Sequence, residues 1–122
     1  MKKNGNLGIS FKCAFRGVWY ALVHNKNLRI HFLIAFMVVI LSILFKVNAF
    51  EMGILGVMIL LVISAEMINS AIEQMTDLIT KEHHEEAEVA KDVSAGMVLL
   101  TAIGSIIVGI LIFVPHIIRF FR

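Results

Sequence analysis

The sequence predicts an all-α membrane protein, an N-terminal amphipathic surface helix followed by three transmembrane helices, and three observations predict it. Of its 122 residues, 59% are hydrophobic and the mean hydropathy is +0.89, above the usual range for a soluble domain of this length. Apolar stretches at about 28–46 and 51–79, and a last one from about Ala95 to Ile118 inside a helix expected over 85–118, each offer the roughly 20 residues that cross a bilayer. Ahead of them, residues 8–27 set Phe11, Phe15, Val18, Trp19 and Leu22 on one side and Lys12, Arg16 and Lys26 elsewhere, the pattern of a helix lying in the interface. The whole chain, 1–122, reads as one domain.

In the surface helix, Trp19 and Tyr20 suit the headgroup level and read as anchors. No Ala-x-Ala-like cleavage signal follows the basic start, so the N-terminus is expected to be retained. The lone Cys13 has no partner in the chain and reads as a small packed residue. The stretch Asn27 to His31 enters the first span, with Arg29 able to reach headgroup phosphates and His31 packed at the boundary. The turn Lys46 to Met52 is short enough to force the first two spans into an antiparallel hairpin. Residues 80–92 are polar and acidic, so the third spanning helix should begin outside the membrane. Within it Gly96, Gly104, Ser105 and Gly109 would allow close helix approach, and Pro115 fits helix termination.

Charge orients the bundle. Lys2, Lys3, Lys12, Arg16, Lys26 and Arg29 precede the first span, and Lys81 and Lys91 lie between the second and third. Only Lys46, Arg119 and Arg122 fall on the other side, so the N-terminus and the loop after the second span should face the cytoplasm. A net charge of +2 gives no reason to expect nucleic acid as a partner.

The chemistry concentrates at the end of the second span, in Glu66 to Asp77. Glu66, Asn69, Glu73 and Asp77 are spaced three, four and four, which on a helix puts them within about an 80° arc. From Met52 to Ala65 only Ser64 is polar, so Glu66 should lie about 20 Å in from the outer end and Asp77 outside the membrane. A charge inside the bilayer costs about 2.5–3.5 kcal/mol, so these carboxylates need a partner, a metal or a water-filled cleft. Glu66, the deepest, is the candidate general base for a hydroxyl proton. Glu73 suits Mg²⁺, which binds through one or two carboxylates plus substrate phosphates. Lys91 would neutralise phosphate charge, and Asp92 could pair with Lys91 or help hold a nucleotide. Neither a GxxxxGK[ST] loop nor GxGxxG occurs, so a nucleotide site would be of neither common kind. The alternative reading makes the carboxylates structural, neutralised by Lys91, Lys26 or each other, and leaves His83 and His84 in a solvated loop.

At these residues a resemblance becomes visible. Glu66-x-x-Asn69-Ser70-Ala71-Ile72-Glu73-x-x-x-Asp77-Leu78, then His83-His84 and Ala90-Lys91-Asp92-x-x-Ala95-Gly96, resembles the bacterial diacylglycerol kinase and undecaprenol kinase family of small trimeric lipid kinases, over roughly Phe11 to Pro115. It is most similar to the Gram-positive undecaprenol kinase branch. The resemblance implies a homotrimer with sites shared between protomers, and Mg²⁺- and ATP-dependent phosphorylation of a membrane lipid alcohol. It implies Glu66 as catalytic base in contact with the lipid, and Glu73 as metal ligand. Asn69, Asp77, Glu82, His83, His84, Lys91 and Asp92 would belong to the nucleotide and catalytic site, and Ala95 and Arg29 would lie toward the lipid. The family normally has a glutamate sharing the metal where this chain has Asn25; an amide oxygen can still ligate Mg²⁺, with less charge to hold it. Undecaprenol is the expected substrate and diacylglycerol the alternative. Intramembrane carboxylates also mark ion pathways, but a path outward from Glu66 would meet no polar residue from Met52 to Ile63. An inactive scaffold would rest on Asn25 alone.

Overall fold

The computed structural model describes residues 6–122 and contains four helices in the expected order. Lys2 and Lys3, counted in the charge asymmetry, lie outside the described residues.

Helix α1 spans Leu7–His24 and starts at Asn6, whose side chain accepts from the Gly8 N–H at 2.8 Å. It buries none of its residues; Phe11, Phe15 and Trp19, four apart on one face, are all exposed, as an interfacial helix requires. Cys13 is exposed rather than packed, on a stretch of α1 that no other described residue covers. α1 ends three residues earlier than the expected 27. Asn25 adopts extended backbone (φ −122°, ψ 106°), closes α1 with its N–H on the Ala21 carbonyl, and opens α2, Lys26–Leu44, by accepting the Leu28 N–H on its side-chain oxygen at 3.2 Å. One residue thus serves as both caps. Arg29 stabilises the same corner from the other side, its Nη1 donating to the Leu22 and Val23 carbonyls at 2.8 Å each, which α1 leaves without helical partners.

The hairpin turn follows with a Schellman motif: the Lys46 N–H reaches the Ile43 carbonyl and the Val47 N–H the Ser42 carbonyl. Lys46 occupies the left-handed position usually given to glycine, at φ 54°. Helix α3, Ala49–Ile79, begins with a capping box in which Asn48 and Glu51 exchange side-chain to backbone hydrogen bonds of 2.8 and 3.1 Å. Helix α4, Glu85–Phe120, carries Glu85, Glu86 and Glu88 in its first turn, where the helix dipole favours negative charge. Pro115 does not end α4. The helix continues to Phe120, because a proline within the last turns forfeits one hydrogen bond while the apolar residues on either side keep their packing.

All three of α2, α3 and α4 are long and apolar enough to cross a membrane, and the protein is an all-α membrane protein. At 31 and 36 residues, α3 and α4 extend about 46 and 54 Å, well beyond a 30 Å hydrocarbon core. They pack as an antiparallel pair pinned at both ends: His116 Nε2 lies 2.9 Å from Glu51 Oε1 at one, and Lys91 Nζ 2.7 Å from Asp77 Oδ1 at the other. The buried apolar residues are few, Leu28, Leu55, Val62, Ala65 and Ile112, and an apolar groove of about 570 Å³ remains between α2 and the α3–α4 pair. Of the glycines expected at close helix contacts, only Gly104 faces α3, where a methyl group would meet Met58 at 3.5 Å. Gly96 and Gly109 face open space, so within one chain their smallness serves no contact.

Candidate active site

The four-residue stripe on α3 forms as its spacing requires. Glu66 and Asn69 are buried at 3% and 8% exposure, and Glu73 and Asp77 are exposed, so polarity rises step by step toward the end of the helix. All four line one cleft of about 740 Å³ between α1 and α3, together with Asn25, Lys26, Ser70 and Gln74. The helical period brings the carboxylates together, and the corner at Asn25 supplies the opposite wall.

Hydrogen bonds order this wall residue by residue. Asn25 Nδ2 donates to Glu66 Oε1 at 3.0 Å and also to the Ser70 hydroxyl. Its orientation is set from both sides: turned over, the amide would present N–H to the Leu28 N–H and oxygen to a carboxylate. Asn69 Nδ2 donates to Glu73 Oε1 at 3.2 Å, and the Ser94 hydroxyl of α4 lies 2.6 Å from Asn69 Oδ1. Ser94 therefore ties α4 to the stripe. Tyr20 stacks on His24 at 4.0 Å between ring centroids, and its hydroxyl accepts from Gln74 Nε2 at 3.3 Å, so this tyrosine joins α1 to α3 as well as lying at the surface.

A second cleft of about 370 Å³ opens beyond Asp77, lined by Glu82, His83, His84, Glu88 and Lys91 among others. Asp77 borders both clefts. Lys91 pairs with Asp77 and not with its neighbour Asp92, since adjacent residues on a helix point apart. The aspartate hydrogen bond raises the lysine above its ordinary pKa, in the polar turns of α4 that precede the apolar run from Ala95. His83 lies 3.2 Å from Glu88, both side chains being well exposed. Asp92 and Ala95 are exposed and line neither cleft, and Arg29 is occupied at the end of α1.

The residues that sequence reasoning singled out are therefore brought together in two groups. Asn25, Glu66, Asn69, Glu73 and Asp77 share the first cleft; Asp77, Glu82, His83, His84 and Lys91 share the second. Asn25, expected to share a metal with Glu73, directs its amide nitrogen to Glu66, while its oxygen accepts from the N-terminus of α2. Among the described residues no cluster of three or more His, Cys, Asp or Glu side chains is gathered for a metal ion. The donor set suits a cation that arrives with phosphates, for Glu73 is exposed at the cleft and only its Oε1 is engaged, by Asn69. Ser94 escaped sequence reasoning, and Ser70 entered it only as part of a motif, without a role. Their signal was helical: Ser70 is four residues beyond Glu66 and Ser94 three beyond Lys91, each one turn from a residue of interest.

The fold and this cleft define a small integral-membrane protein with a carboxylate-lined polar site at one end of its helices. The model of the prokaryotic diacylglycerol kinase family matches residues 12–113, and the chain belongs to that family. It is 40% identical over 106 residues to the undecaprenol kinase of Bacillus subtilis, covering 87% of this chain and 86% of that one. It is 38% identical over 111 residues to a diacylglycerol kinase of Synechocystis sp., covering 90% of this chain and 63% of that longer one.

Proposed function

We propose that the protein is a lipid kinase that transfers the γ-phosphoryl group of ATP to the hydroxyl of undecaprenol. One observation carries the reading: in a chain of this family, a single helix face grades from a buried carboxylate at Glu66 to exposed ones at Glu73 and Asp77. Such a gradient joins a reactant held in the membrane to one dissolved in water. Family membership and the likeness to the B. subtilis undecaprenol kinase over most of its length support the same conclusion.

In this mechanism Glu66 accepts the lipid hydroxyl proton as the alkoxide oxygen bonds to the γ-phosphorus and the bond from that phosphorus to the β-phosphate oxygen breaks, releasing ADP. Asn25 occupies Glu66 Oε1, and Oε2 accepts no hydrogen bond from the described residues, which suits it to the incoming proton. Glu73, with Asn69 holding Oε1, offers its other oxygen to magnesium; that ion would neutralise phosphate charge while the chain's residues orient the reactants. Lys91 and Asp77 border the phosphate path, with Glu82, His83, His84 and Asp92 toward the nucleotide, and Ala95 and Arg29 toward the lipid. The charge asymmetry supports a cytoplasmic cleft, where ATP is available. The assembly is taken as a homotrimer, to which the groove beside α2 and the open faces of Gly96 and Gly109 would be available.

Diacylglycerol is the second reading, favoured by the 38% identity to the Synechocystis protein. The deciding experiment offers each lipid separately with ATP across a Mg²⁺ titration, with Glu66→Gln as control. Faster Mg²⁺-dependent phosphorylation of undecaprenol, lost in the control, is expected. Preference for diacylglycerol moves the protein to the second reading, and turnover of neither lipid sinks both.

A further inference from the structure

We infer that Asn25 is a positioning residue for Glu66: its amide holds one carboxylate oxygen so that the other faces the reacting hydroxyl. The inference rests on the lipid kinase reading and assigns this position a role other than metal ligand.

The geometry carries it. Asn25 sits at the single-residue corner between α1 and α2, where its oxygen caps the Leu28 N–H and its nitrogen donates to Glu66 Oε1 and to the Ser70 hydroxyl. Every polar atom of the side chain is committed, and the two roles need opposite ends of the amide. A carboxylate at 25 could cap α2 equally well, but would then face Glu66 with oxygen against oxygen. Glu66 is 3% exposed, so water does little to screen that repulsion or to replace a lost donor. Ser70, one turn beyond Glu66 on the same face, receives the second N–H and prevents the amide from swinging away. In this chain the residue at 25 therefore offers Glu66 a donor, where a carboxylate would offer only acceptors.

Two substitutions separate the role from its alternatives. Asn25→Ser keeps a good N-cap but cannot reach Glu66; Asn25→Asp keeps both cap and shape, removes the donors and adds charge. Lipid phosphorylation is measured at saturating ATP and lipid over a Mg²⁺ titration, with KM for each substrate. For Asn25→Ser, kcat should fall about tenfold, the size of a hydrogen bond to a charged group, with both KM values and the Mg²⁺ midpoint unchanged. Asn25→Asp should be slower still at every Mg²⁺ concentration.

A kcat for Asn25→Asp at or above that of the unaltered protein, reached at lower Mg²⁺, would overturn the inference and make position 25 a metal ligand. An unchanged kcat in Asn25→Ser would overturn it too, leaving the kinase reading intact. The contact itself is read without turnover, from the side-chain amide NMR signal of Asn25, identified by its absence in Asn25→Ser. That signal should move in Glu66→Ala; failure to move removes the contact. If the unaltered protein phosphorylates neither lipid, the positioning role falls with the kinase reading, whatever the signal does.

Discussion

Removing the Ser94 hydroxyl should reveal how far α4 governs a site built on α3. Ser94 is 7% exposed, and its hydroxyl lies 2.6 Å from Asn69 Oδ1, which is itself buried, and 3.0 Å from the Lys91 carbonyl in its own helix. In Ser94→Ala the bond to Lys91 is of small consequence, since that carbonyl sits within a helix. The contact to Asn69 is different, because no other donor reaches Oδ1 among the described residues, and an orphaned buried acceptor costs about 1–3 kcal/mol. Allowing for partial access of water from the cleft, a loss of about 1–2 kcal/mol is expected. Freed from Ser94, Asn69 would also hold Glu73 less firmly, so KM for ATP should rise while kcat falls only in part. Ser105→Ala is the control: its hydroxyl merely donates to Ala102 in the same helix at 2.8 Å, and its removal should cost under about 0.5 kcal/mol. The assay is reversible unfolding of both variants in detergent, read beside their ATP dependence. Equal stability in Ser94→Ala and Ser105→Ala would refute the reasoning, as would a Ser94→Thr variant that fails to restore what alanine loses.

Three further outcomes are expected. Glu66→Gln keeps an oxygen for the Asn25 donor, so it should fold normally yet lose about 10²–10⁴-fold in kcat, the contribution of a general base; a loss of folding instead would assign Glu66 to structure. Asp77→Asn breaks an ion pair whose side chains are 67% and 40% exposed, so stability should change by under about 1 kcal/mol. KM for ATP should nonetheless rise severalfold, and an unchanged KM would remove Asp77 from the nucleotide site. Lys46→Gly relieves a left-handed residue at the end of α2 and should raise the unfolding free energy by up to about 1 kcal/mol in the same detergent assay; a lower value would mean that the lysine's charge at the helix end outweighs its strain.

The four helices and the stripe were legible because each rests on a single periodicity. Hydropathy marks the spans, and spacings of three, four and four leave the side chains of Glu66 to Asp77 no choice but one face. What could not be read depended on groups far apart in sequence or on competition between local effects. The hydrogen bonds of Asn25 are of this kind: the unsatisfied start of α2 claims its oxygen and thereby aims its nitrogen at Glu66, 41 residues away. So are those of Arg29, whose Nη1 finds the last carbonyls of α1 within its reach. Pro115 has the residue type of a stop, yet it lies inside α4, since a proline breaks a helix only where its lost hydrogen bond outweighs the packing that continues beyond it.

The location of Glu66 follows from a balance that the neighbouring residues make possible. A carboxylate at full membrane depth would cost about 2.5–3.5 kcal/mol, and one in free water would not differ from any surface glutamate as a base. Glu66 lies between these limits: it is shielded by the walls of a cleft, accepts one hydrogen bond from a neutral amide, and is three residues from Asn69, whose own contacts run to Glu73 and to α4. The supporting bonds on the Asn69 side belong to the α3–α4 pair, which is pinned at both ends by Glu51 with His116 and by Asp77 with Lys91. Those on the Asn25 side belong to the α1–α2 corner, which hydrogen-bonds to α3 through Asn25 and through the Tyr20 to Gln74 contact. The α3–α4 pair therefore fixes where the carboxylates stand, and the corner at Asn25 decides how Glu66 is presented. Removing the buried contact of Ser94 to Asn69 should register as lost stability together with lost activity, whereas a corner substitution that keeps the helix cap, such as Asn25→Ser, should change kcat with little change in unfolding free energy.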